Sequence, residues 1–170
     1  MAKAKTSPFW LTAKVSLTAA NTYVQTTIPL SSYIDVAQKQ AVAILEVDYV
    51  TQHATSFATA LGGDRIIDYQ LTDINKGDLV AADDVSMISR GALAYDNAPP
   101  NFSNENALYP DSFGTLTDAR MVVNDDVFFG AEASSVSGGD SIAIVRIKAQ
   151  VVKLSEKDFM ALALTSVASA

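Results

Sequence analysis

The chain contains one histidine, His53, at the end of the stretch "AVAILEVDYVTQH", with Glu46 and Asp48 on alternate positions before it. An imidazole works as a general base only when a partner orients it and the reacting proton lies within hydrogen-bond reach. Neither acid is tied to it by a motif. Two readings therefore stand: a base whose partner the fold must bring, or a histidine that closes a strand and catalyses nothing. No G-x-S-x-G elbow, phosphate-binding glycine loop or H-E-x-x-H pair occurs in the sequence.

A second candidate is "LTDINKGDLVAADD", where Asp73, Asn75 and Asp78 offer oxygen ligands and Asp84 is twelfth counted from Asp73, a partial echo of a calcium loop. Its glycine, Gly77, is fifth instead of sixth, and Asp84 replaces the bidentate glutamate. The same residues make an ordinary polar turn, because Asp and Asn bond to nearby backbone and Gly accepts positive φ. The turn is the favoured reading, and no cofactor or metal is expected. The acid pairs at 83–84 and 125–126 are adjacent in sequence, so on a strand they point to opposite faces and do not form a glycosidase pair. A third candidate is a sugar-binding platform of Tyr95, Phe102 and Tyr109 on a long polar stretch, residues 95–118.

The elements that must carry these residues alternate with a period of two. In "PFWLTAKVSLT" the apolar residues Phe9, Leu11, Ala13, Val15 and Leu17 face one way and Thr12, Lys14, Ser16 and Thr18 the other, with Trp10 breaking the pattern. "AANT" supplies a turn, and Val24, Ile28 and Leu30 resume on one face, which reads as a hairpin. In the His53 stretch, Leu45, Val47 and Tyr49 are expected on one face, with Val42, Ile44, Glu46 and Asp48 on the other. The clearest strand is "SIAIVRIKAQVVKL", with Ala143, Val145, Ile147, Ala149 and Val151 inward and Arg146, Lys148 and Gln150 outward. "RIIDYQL", "VSMIS", "ARMVV" and "DVFFGAE" are shorter candidates, giving about seven or eight strands. Residues 95–118 show no period and are expected as loop, as is "SSVSGGDS"; "QHATSFATALGG" is ambiguous. In "SEKDFMALALTSVASA", Ser155 can cap a helix whose apolar residues Phe159, Leu162, Ala163 and Val167 recur at helical spacing. That face folds back on its own sheet or docks on a neighbouring subunit.

Composition removes other classes. The chain has 170 residues, 49% hydrophobic, enough for one self-sufficient core. It has no cysteine, which excludes disulfides, thiolate zinc sites and cysteine nucleophiles. One histidine leaves too few ligands for a cupin-type metal enzyme. The net charge is −7, and residues 64–140 hold 14 acidic against 4 basic side chains. Lys3, Lys5 and Lys14 are the only cations near the N-terminus, so direct nucleic-acid binding, which scales with phosphates neutralised, is not expected. The start "MAKAKTSPFWLTAKV" lacks the apolar run of a secretory signal, and no stretch approaches the length of a transmembrane helix, so a soluble protein made in the cytoplasm is expected.

The expected fold is all-β: a two-sheet β-sandwich, a single jelly roll of about eight strands with a short C-terminal helix. One domain spans 1–170, with an arm at 1–8, the sandwich at 9–154 and a helix and tail at 155–170. From "PFWLTAKV" to "VVKLSEKDF", including "TIPLSSYIDVAQKQAVAILEVDYV", the pattern resembles the single jelly-roll capsid proteins of viruses. That resemblance implies a non-enzymatic, self-assembling shell subunit located in the virion, whose partners are copies of itself and other capsid proteins. Because the basic arm of many small-virus coat proteins is missing, it implies a genome kept apart by an internal membrane or another protein, or packaged without this chain. The expected subunit contacts are Trp10, Phe159, Leu162 and Val167, on terminal segments that order only when something holds them. A ligand- or carbohydrate-binding sandwich module, and a phage decoration or tail component, are the alternatives.

Overall fold

A computed structural model describes residues 2–58, 61–96, 102–107 and 113–168; the side chains of 102–107 and 166–168 lie outside the described set. The described chain forms ten strands and one helix: β1 (Lys3–Ala4), β2 (Phe9–Leu17), β3 (Val24–Pro29), β4 (Gln40–His53), β5 (Arg65–Thr72), β6 (Met87–Asp96), β7 (Phe102–Ala107), β8 (Arg120–Val122), β9 (Asp126–Ala133), β10 (Ser141–Lys153) and α1 (Glu156–Ala168). All pairings are antiparallel.

The first sheet runs β2, β10, β4, β8, with β1 continuing the β2 side of β10; the second runs β3, β9, β5, β6, β7. Pairs β2 with β10, β3 with β9, β4 with β8 and β5 with β6 nest inside one another like a single long hairpin. The hairpin is wrapped so that β10 also pairs with β4, and β9 with β5. Nested pairs wound into two facing sheets are the jelly roll. Strands β1 and β7 are additions at its margins.

Alternation places the core as the sequence predicts for β2, β3 and β10, whose inward rows meet between the sheets. Strand β4 departs. Glu46 pairs with Lys148 and Ile44 with Ala149, leaving Leu45 as a bulge that switches the phase of the strand. Val42 and Ile44 therefore join Val47 and Tyr49 on the inward side, correcting the expectation that they face apart. The bulge is used: the Leu45 carbonyl accepts a hydrogen bond from Phe113 N–H at 2.9 Å. Strand β7 is the second departure, since it pairs with β6 inside the stretch expected as loop.

Between the sheets, Tyr49 stacks on Tyr69 at 5.0 Å and on Phe129 at 6.0 Å. Gly91, paired with Tyr69 across β5 and β6, leaves room for this stack, because a Cβ there would meet the Tyr49 ring at 3.0 Å. Thr51 and Tyr69 share a hydroxyl hydrogen bond, and burial pushes the Tyr49 phenol well above its ordinary pKa.

Candidate assembly surface

Sandwich sheets have outer faces too, and the two outer faces here are treated differently. On the second sheet, Gln70 of β5 points outward yet is fully buried. Its Nε2 donates to the Asp78 carbonyl at 2.7 Å and the Tyr23 hydroxyl at 2.9 Å, and its Oε1 accepts from Val80 N–H at 3.0 Å. Arg90 donates to the Val80 carbonyl at 2.6 Å, and Gln25 to Asn75 at 2.9 Å. These bonds fasten the 73–86 loop across that face. Tyr23 lies over Gly130, where any Cβ would overlap its ring.

This loop is the calcium-like stretch. Asp73 is bonded by Arg120 at 3.1 Å, and Asp84 accepts from Ser86 N–H at 2.9 Å and meets Lys76 at 3.5 Å. Asp78 accepts from Leu79 N–H at 2.7 Å. The carboxylates are thus turned to separate partners, and no group of three or more potential metal ligands gathers among the described residues. Burial raises the Asp73 pKa against the pull of Arg120, while the Ser86 hydrogen bonds lower that of Asp84.

The loop end of the sandwich holds His53. Its ring lies against Gly139, and its Nδ1 bonds with the Thr55 hydroxyl at 3.1 Å. Glu46 and Asp48 lie on the outer face of β4, opposite Lys148 and Arg146, so the fold does not gather them with His53 into a catalytic set. Beside it, Arg65, only 3% exposed, donates to the carbonyls of Ser137 and Gly139 and to the Ser141 hydroxyl. Burial lowers its pKa while Asp140 opposes the shift. Gly62 and Gly63 pack backbone to backbone on Ser137 and Gly138, tighter than any side chain allows. Tyr95 is half-buried against the core. Tyr109 and the Phe102 side chain, the rest of the expected sugar platform, lie outside the described residues.

The outer face of the first sheet is covered at one end only. Ala41, Ala43 and Val152 point outward there and meet Leu154 and Phe159, with Leu162, Met121 and Val123 at the margin. Ser155 caps α1 by accepting from Asp158 N–H at 3.2 Å, and Lys39 reaches Glu156 at 3.0 Å. Phe159 is 5% exposed, so its side chain is spent inside its own chain. Leu162 is partly buried beside it, and the Val167 side chain lies outside the described residues. The opposite side of the helix is apolar as well: Met160 is 56% exposed and Leu164 67%. The N-terminal stretch is also held by its own sheet, with Lys3 and Ala4 paired to β10 and the Thr6 hydroxyl accepting from Val151 N–H at 3.1 Å.

Along the rest of this face, Lys148 meets Glu46 at 3.5 Å, and Arg146 stands opposite Asp48. Trp10 lies over this charge ladder, 43% exposed, with the Arg146 guanidinium 4.8 Å and the Lys148 ammonium 5.9 Å from its ring. Sequence reasoning picked out Trp10 through its break in alternation. It missed Met160 and Leu164, although an apolar residue at nearly every turn position of α1 was the available signal.

No protein-family profile and no curated protein sequence matches the chain. Among solved structures it is similar to VP1 of Trichodysplasia spinulosa-associated polyomavirus, solved in complex with sialylated glycooligomers, at 7% identity over 87% of this chain and 96% of that one, with a TM-score of 0.40. It is also similar to Desmodium yellow mottle tymovirus, at 6% identity over 91% of this chain and 93% of that one, with a TM-score of 0.36. The jelly-roll assignment rests on the nested strand order itself. No described helix is long and apolar enough to cross a membrane.

Proposed function

We propose that this protein is a structural capsid subunit that assembles with copies of itself into a virion shell. The observation that carries the reading is where apolar surface is left over. The inter-sheet space, where a sandwich of this kind would house a ligand or a metal, is filled by the Tyr49, Tyr69 and Phe129 stack. Among the described residues, three of the seven exposed large apolar side chains, Trp10 on β2 and Met160 and Leu164 on α1, share the outer side of the first sheet, whereas Val36, Phe57, Ile66 and Val85 stand singly on loops and on the second sheet. Apolar surface displayed on one face favours burial against another molecule, and identical copies do so in closed symmetric contacts. Its role is non-enzymatic, and other capsid proteins are further partners.

Light scattering of the purified protein, followed by electron microscopy, tests this. Oligomers or particles whose size is uniform are expected. A monodisperse monomer at the highest attainable concentration overturns the proposal, and specific glycan binding by that monomer would replace it with the sugar-binding module.

A further inference from the structure

Strand β2 pairs with β10 on one side, and among the described residues no strand occupies its other side. At nine residues it is the longest of the sheet margins; β3 and β7 have six each, β8 three and β1 two. β3 also ends in Pro29, which has no N–H to donate. Proteins normally blunt such an edge with a proline, a bulge or charged side chains, lysine above all. β2 has no proline and no bulge, since Pro8 stands outside it and its register with β10 is unbroken, and it carries a single charge, Lys14, on the outer face. Its inward residues Phe9, Leu11 and Ala13 are only half-buried although they pack on the core.

Resting on the self-assembly reading above, we infer that the free edge of β2 pairs antiparallel with β2 of a second copy, about a two-fold axis at Ala13. This register uses all nine residues of both strands. Phe9 then faces Leu17 of the second copy, Leu11 faces Val15, and Ala13 faces Ala13, so the half-buried row continues as one core. On the outer face Trp10 stands opposite Ser16, and Lys14 opposite Thr12. Each bulky outer side chain meets a small one, and no like charges are opposed. A strand that satisfies its own complement in this way needs no other partner chemistry, and an isologous contact closes at two copies.

Two kinds of variant read the register. Thr12→Lys sets two lysine pairs opposite each other across the axis and is expected to weaken dimerisation about tenfold in sedimentation velocity. Adding Lys14→Glu restores it, because each introduced lysine then faces an introduced carboxylate of the second copy. The lysine at position 12 stays beside Arg146 of its own chain in the single and the double variant alike, so the recovery reads the contact between copies. The chain has no cysteine, so Ala13→Cys gives a clean probe, expected to form a covalent dimer under mild oxidation. If the unmodified protein assembles while Ala13→Cys does not crosslink and Thr12→Lys changes nothing, the β2 contact is overturned and self-assembly stands. A protein that stays monomeric overturns both.

Discussion

The outer faces of the two sheets solve the same problem by opposite means. The second sheet is closed by a loop of its own, fastened through polar side chains, with Gln70 buried completely to hold residues 78 and 80. The first is closed by an apolar helix over one end and by salt pairs over the middle, and its long edge strand is left open. A polar staple is specific to one loop in one position, because each donor and acceptor must be met. An apolar contact is less particular, and a helix that is apolar on both sides can cover its own sheet and still offer Met160 and Leu164 to another surface. The difference leaves the second sheet covered by a polar-stapled loop, with only Ile66 and Val85 exposed singly among its described large apolar side chains, and the first sheet partly covered, with Trp10, Met160 and Leu164 exposed on its outer side.

The comparison breaks first at α1. Phe159→Ala removes the main anchor between helix and sheet and is expected to cost about 3 kcal/mol in urea unfolding. Helical ellipticity should fall at the same time, because a short helix holds only while its apolar face is docked. Unchanged stability would show that the helix is not part of the folded unit. Gln70→Ala is the matching test on the other face. It strands the Val80 N–H and the Asp78 carbonyl and is expected to cost about 2 kcal/mol, with proteolysis inside 73–86 as the visible sign. Equal protease resistance in the variant would show that packing alone holds the loop.

Much of this contrast could be read from the chain, and the exceptions have physical causes. β10 was legible because its inward row is apolar from end to end and Arg146, Lys148 and Gln150 mark its outer face between the apolar Ile144 and Val152. β4 was legible only up to its bulge: the extra residue at Leu45 is a property of pairing with β10, and nothing in "AILEVD" announces it. β7 escaped because "FSNENA" is poor in the β-branched and aromatic residues that mark strands, and it gains its place from β6 alone. The Ser155 cap and the apolar spacing of α1 were plain, whereas the outward-facing alanines of β4 that receive the helix looked like ordinary strand residues. Gln70 reads as a solvent-facing position by alternation, and only the returning loop buries it. The candidate assembly surface was half visible, through Trp10 and the apolar terminal segments. The open edge of β2 follows from sheet order, which alternation does not encode.

The smallest expected effect sharpens the contrast through pH. Asp84 holds the loop by accepting from Ser86, and those bonds, helped by Lys76, keep its pKa below the ordinary 3.8. A carboxyl whose pKa is depressed by folding stabilises the fold above its unfolded value and loses that contribution as pH falls through the folded value. Asp73 has the opposite sign, since burial raises its pKa, so its ionisation works against folding at neutral pH. Comparing the parent with Asp84→Asn cancels most of the Asp73 contribution, which is present in both; what remains is the relief of Asp84's repulsion, the weakest influence on Asp73. The parent should melt above the variant at pH 7, and the gap should close as pH falls below about 4. A gap of constant size down to about pH 2.5 would show that the ionised form of Asp84 adds nothing. The helix carries a titratable contact only in its first turn, where Glu156 pairs with Lys39 and a hydrogen bond from Ser155 lowers the Asp158 pKa, while the Phe159 contact that docks it on the sheet is apolar and carries no proton.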